Sequence, residues 1–164
     1  MYSTKQIARI KRLASDDYAD ANERSALICS VESSAELHQV VLWFNYDGFE
    51  IRELAEIIDH PHCSAGTALL IYWGLQPDYI YRQIEKKKTL PPDLQGRLPF
   101  LKELERRIFE GVFGGTAIEF SPVSLVGRPL RDDDVYRPGI RLVPEWMKSP
   151  IQGEIVDRQN LNDA

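Results

Sequence analysis

Apolar residues recur at helical spacing through the first two thirds of this 164-residue chain, yet each run is cut after about three turns by proline, glycine or a polar turn. That pattern restricts the fold to short helices folded back on one another. In TKQIARIKRLA, Ile7, Ile10, Leu13 and Ala14 fall on one helical face, and the lysines and arginines fall on the other. Asp20 is an N-cap residue for a second helix that turns Leu27, Ile28 and Val31 inward. Ser33, with Glu36 three residues on, forms a capping box in which each side chain bonds the other's backbone amide. The helix it opens buries Leu37, Val40, Val41 and Phe44, and Gly48 ends it because glycine takes the left-handed conformation readily. Ile51, Leu54, Ile57 and Ile58 repeat the pattern as far as Pro61.

Residues 60–73 read HPHCSAGTALLIYW and hold two of the three histidines and one of the two cysteines. His60 precedes a proline, which disfavours helical backbone at that position and marks a boundary. Ser64 or Thr67 then caps a helix bearing Ala68, Leu69, Ile71, Tyr72 and Trp73, which Gly74 is suited to stop. Pro77 and Asp78 begin a further helix through Tyr81 and Ile84 that runs out in the lysines at 86–88. TLPPDLQGRLP reads as an exposed loop. Pro99 restarts a helix with Leu101, Leu104, Ile108 and Phe109 on one face, before Gly111, Gly114 and Gly115 end it. Beyond Gly115, short apolar alternations cut by proline suit extended arms. The expected fold is mainly α: six or seven short amphipathic helices packed as hairpins, with an extended or short-stranded C-terminal segment. A single domain over residues 1–156 and a polar tail over 157–164 complete the expectation.

With 43% apolar and 27% charged residues, the chain has enough material for one sizeable core. No apolar run approaches the roughly 20 residues of a membrane span, and the first residues are polar, so a cytoplasmic protein without a membrane partner is expected. The thiols of Cys29 and Cys63 are then expected to be reduced. A formal charge of −5 disfavours a phosphate backbone and so nucleic acid. It favours a basic partner, for which Asp16, Asp17, Asp132, Asp133 and Asp134 are the candidate contacts.

The chemistry-bearing alternative is the His-Pro-His-Cys turn. His60, His62 and Cys63 could offer three metal ligands, with His38 or Cys29 as a fourth, but structural zinc sites pair their ligands at two separate places and no second pair exists here. A Cys63–His38 dyad is a second form of the same alternative, opposed by the inertness of buried thiols. The bland assignment makes Cys63 a core residue, His60 a cap on its helix end and His62 an exposed side chain. No phosphate loop or nucleophile elbow occurs, and no cofactor is implied. Glu53, Leu54 and Ile58, then Gly66, Thr67 and Ala68, are echoed by Glu103, Leu104 and Ile108, then Gly115, Thr116 and Ala117. Two units fall short of an array.

The run WFNYDGFEIRELAEIIDHPHCSAGTALLIYW, followed by FLKELERRIFEGVF and IEFSP, resembles the bacterial family known as domain of unknown function 4274. The residues that carry the likeness are Asn45, Tyr46, Asp47 and Gly48, then His60, Pro61 and Cys63, then Thr67, Ala68 and Leu69. It covers roughly residues 36–123. The resemblance implies a bacterial lineage and a fold, and it brings no catalytic residues. The expected function is therefore non-enzymatic protein binding, in its most concrete form an immunity protein that covers a basic toxin. The alternative is a metal- or cysteine-dependent enzyme centred on the turn.

Overall fold

Three serines set the frame. In the computed structural model, which describes residues 2–15, 20–44, 46, 51–86, 89–122 and 142–156 and all their side chains but those of residues 21 and 93, Ser3 accepts from the Gln6 amide and opens α1 (Thr4–Ala14). Ser33 accepts from the Glu36 amide and opens α3 (Ser34–Leu42), and Ser64 accepts from the Thr67 amide and opens α5 (Ala65–Gly74). The caps recur at intervals of 30 (3 to 33) and 31 (33 to 64) residues. Ile10, Val40 and Ile71 each follow their cap by the same distance, and all three are fully buried. The helices they belong to lie side by side, α1 against α3 and α3 against α5.

A second row lies beside the first. α2 (Ala21–Cys29) is capped by Asp20 and packs on α1 and on α4 (Ile51–Ile58). Ile28 and Ile58, again 30 residues apart, are both buried. α6 (Pro77–Glu85) and the single turn α7 (Pro92–Gln95) lead to α8 (Arg97–Glu110), which packs on α4 and α5 and so closes both rows. The described residues thus hold seven helices of two or more turns, one single turn and no strand, a mainly α fold. α5 sits at the centre because it is apolar nearly all round, and every residue from Gly66 to Trp73 is buried.

After Gly111, whose φ of 66° ends α8 in the left-handed region, residues 112–121 hold no helix. Gly115 donates to the Cys63 carbonyl at 2.9 Å, and Gly66 faces the Ile118 carbonyl so closely that a Cβ has no room there. Ile118 and Phe120 pair by isolated bridges with Glu154 and Ile151. A 3-10 turn, Glu145–Met147, seats Met147 in the core.

Several expectations need correction. Arg9, assigned to the outer face of α1, is inside, because Glu36 draws it there. Glu36 consequently completes only half a capping box: its amide bonds Ser33, but its carboxylate accepts from Arg9 and from the Glu32 amide. α3 stops at Leu42, ahead of Gly48, which lies outside the described residues along with Asn45 and Asp47. Gly74 is the last residue of α5, as expected, though its φ is not positive. It admits the Tyr46 ring against its Cα, and Gln76 takes the positive φ, 56°. The expected loop at 89–99 contains α7, and α8 begins at Arg97 instead of Pro99. Phe109 faces solvent, while Phe100 fills the core position. The echo between 53–68 and 103–117 is not a repeat, since Thr116 and Ala117 lie outside any helix where Thr67 and Ala68 are helical. The repeating unit has a different register, with the serine caps as its marks. The polar tail 157–164 lies outside the described residues.

Candidate functional site

The His-Pro-His-Cys turn joins α4 to α5, and its polar atoms are spent on that junction. His60 Nδ1 accepts from the His62 amide at 3.1 Å, and the Cys29 backbone carbonyl bonds the same ring. His60 therefore secures a backbone turn and the end of α2, not the carbonyls of its own helix. Burial, then the neighbouring His62, holds its pKa below the ordinary value. The two rings lie 5.4 Å apart between centroids. Cys63 is buried, its Sγ donates to the Ser64 carbonyl at 3.7 Å, and burial pushes its pKa up to about 12. A thiol so held is neutral near pH 7 and a poor nucleophile.

His38 is not the partner of Cys63. Its Nδ1 meets Thr67 Oγ1 at 3.0 Å, and Thr67 Oγ1 meets Ser64 Oγ at 3.0 Å. All three side chains are buried, and burial pulls His38 down to about 4, so it is a neutral imidazole stitching α3 to the cap of α5. Among the described residues, no three His, Cys, Asp or Glu side chains come together in a group that could hold a metal ion. His62 is half-buried, as His60 is, and not exposed as expected, whereas Cys29 is an exposed free thiol at the end of α2.

A second constellation, absent from the sequence reading, is built on Glu105 of α8. Its Oε1 accepts from Tyr72 of α5 at 2.9 Å and from Tyr81 of α6, while Oε2 meets Lys102 Nζ at 2.8 Å. The Lys102 ammonium also lies 4.7 Å from the Tyr81 ring centroid. Burial, followed by the carboxylate, raises the pKa of Tyr72 and Tyr81 far above the ordinary phenol, so both hydroxyls stay donors. The backbone carbonyl of Glu105 accepts from Trp146 Nε1 at 3.3 Å, and Trp73 Nε1 donates to the Met147 carbonyl at 2.7 Å. Two indoles thus pin the 3-10 turn to α8 and α5.

At the edge of that pinned turn lies an aromatic surface. Phe109 is 71% exposed and Trp146 is 44% exposed, and their ring centroids are 5.1 Å apart. Val112, three residues after Phe109, is also exposed. Helical periodicity hid it, since Phe109 shares the spacing of Leu101 and Ile108, and only contact with Trp146, distant in sequence, separates it from the core set. The acidic candidates Asp16, Asp17, Asp132, Asp133 and Asp134 lie outside the described residues. Among the described residues, no helix is long and apolar enough to cross a membrane.

Fold and site together define a mainly helical domain of side-by-side helix pairs, with an inward-turned polar set and one exposed aromatic edge. Residues 32–109 of the chain match the family model described as a domain of unknown function, DUF4274. The match runs from the cap of α3 to near the end of α8. It ends before Ile118 and Phe120, so residues 110–123, which the resemblance had included, fall outside it. No curated protein and no solved structure matches the chain.

Proposed function

We propose that this chain is a non-enzymatic protein-binding domain whose partner is basic. The observation that carries the reading is the exposed Phe109–Trp146 ring pair, whose indole is fixed by its hydrogen bond to the Glu105 carbonyl. Aromatic anchors that are rigid before binding lose little freedom in a complex, and tryptophan is enriched among the residues that dominate interface energies. Side-by-side helix pairs favour the same use, because arrays of this kind present extended surfaces. The formal charge of −5 supplies long-range attraction for a basic protein. An immunity protein that covers a basic toxin is the concrete form of this reading, acting in the cytoplasm. The alternative enzyme centred on His60, His62 and Cys63 has no observation in its favour, since the His60 ring and the Cys63 thiol are committed to the junction.

The test is a pull-down with the tagged full chain from its native host at low and high salt. A single stoichiometric basic protein that dissociates as salt rises, and that is lost when Asp16, Asp17 and Asp132 to Asp134 are replaced by lysine, supports the reading. Binding that ignores both salt and charge reversal removes the basic partner from it. If no protein is retained at low salt, the reading as a whole fails.

A further inference from the structure

Proline at position 61 has no N–H, so the first backbone donor after His60 is the His62 amide. The turn is closed by the Cys63 amide on the His60 carbonyl at 2.8 Å, and it brings the His62 amide back to the His60 ring, where Nδ1 accepts it at 3.1 Å. The ring's other bond is to the Cys29 carbonyl at the end of α2, and only an N–H can make it. One nitrogen is thereby fixed as an acceptor and the other as a donor, which demands the neutral imidazole with its proton on Nε2. A second proton, on Nδ1, would point at the His62 N–H. Three parts of the fold meet in this one ring: the end of α2 through Cys29, the end of α4 where His60 stands, and the turn into α5 through His62.

The surroundings leave the ring within reach of solvent protons. His60 is half-buried, whereas His38 lies inside the core. The His62 ring, 5.4 Å away, opposes a charge on His60, and Glu36 of α3 favours one but is itself held by Arg9. Asp59, next to His60 in sequence, pairs with Arg107 of α8 at 2.6 Å. The junction has other ties, Gly115 to the Cys63 carbonyl and Ser64 to the Thr67 amide, so loss of the His60 bonds need not undo α5. We propose that His60 is an acid-operated latch: its neutral ring ties the end of α2 to the turn between α4 and α5, and on acidification it takes a proton, lets go of the His62 amide and frees the turn while the core stays folded. The closed ring binds a proton less well than a ring swung into water, whose pKa is about 6.5, so closure is complete above that pH and weakens as pH falls toward the pKa of the closed ring.

The experiment is an NMR series on the full chain from about pH 7.5 down to about pH 5, above the range in which His38 itself is protonated in the fold. The ring nitrogen shifts of His60 should show the proton on Nε2 at the start. Protection of the His62 amide against solvent exchange, corrected for its intrinsic rate, should then fall about tenfold for each pH unit below about 6.5, while amides within α5 keep theirs. His60→Gln keeps an acceptor and a donor but does not titrate, so it should protect the His62 amide equally across the series, and His60→Ala should lose that protection throughout. A proton on Nδ1 at pH 7.5, a His60 titration that leaves the His62 amide unchanged, or the same pH slope in His60→Gln would overturn the latch. Protection lost from α5 in step with the His62 amide would also overturn it, because the release would then be unfolding of the whole chain.

Discussion

His38 shows what one buried ring does to the pH dependence of the whole chain. Its pKa falls from 6.5 to about 4 in the folded state because burial disfavours the imidazolium. The unfolded chain therefore takes up a proton first as pH falls. Stability from this group is complete above about pH 6.5 and is lost progressively toward pH 4. Between pH 7 and pH 5 the loss is about 2 kcal/mol, at about 1.4 kcal/mol per unit of pKa. His60 adds a smaller change of the same sign. Urea midpoints measured across that range should fall with pH, and His38→Asn, which keeps a polar atom near Thr67, should flatten the curve. An unchanged slope in the variant would place the dependence elsewhere. The thiols divide in the same way: Cys63 is buried with its pKa up at about 12, and Cys29 is exposed. A thiol reagent at pH 7.5 should modify one cysteine rapidly in the native chain and the second only on unfolding; rapid loss of both would contradict the closed junction.

At the scale of elements, polar pairs between helices decide which faces meet. Arg9 of α1 and Glu36 of α3 form a two-pronged pair at 2.6 and 3.0 Å with almost no exposure of either side chain. Arg24 joins α2 to Glu53 of α4 at 2.6 Å, and Arg107 joins α8 to Asp59, just past α4, also at 2.6 Å. A buried pair is costly to break from one side, since the survivor is left charged in the interior. Arg9→Met should therefore destabilise by about 3–5 kcal/mol, whereas Arg9→Met with Glu36→Leu should recover much of the loss. Denaturant midpoints in a double-mutant cycle check this, and additive losses would show that the pair is not coupled. Sequence periodicity placed α1, α2, α4 and α6 closely because caps and prolines act within a few residues. It could not place Arg9, whose burial depends on a carboxylate 27 residues away. The same local logic put Phe109 in the core and missed Glu105, because a lone acid on a charged helix gives no hint that two tyrosine hydroxyls converge on it.

For the whole molecule, the stretch that matches the family model is not self-contained in this chain. Within residues 32–109, Glu36 depends on Arg9 from α1, and the Trp73 indole depends on the Met147 carbonyl. Gly115 closes the Cys63 carbonyl, and Thr116 donates its amide to Ser34 at 2.9 Å. Cutting the chain to 32–109 removes all four partners. It also strips Ile10, Leu13, Ile28, Val143 and Met147 from the core, each worth about 1.5–3 kcal/mol of burial. A domain's net stability is about 5–15 kcal/mol, so these losses are of the same size as the whole of it. The spacing of Ser3, Ser33 and Ser64, 30 and then 31 residues, makes the same point: the first unit, α1 with α2, lies outside the matched stretch yet is built like the second. That spacing was legible in the sequence, but it lay in a Ser-x-x-Gln/Glu/Thr pattern too short to stand out without helices beside it. In a side-by-side array each unit is stabilised chiefly by its neighbours, so removing the first exposes an apolar face of the second. The fragment 32–109 should accordingly lack a cooperative thermal transition and a near-ultraviolet circular dichroism signal, both of which residues 2–156 should retain. A fragment that melts cooperatively with protected amides in α5 would mean that α3 to α8 suffice, and that α1, α2 and the C-terminal segment serve the surface instead of the core.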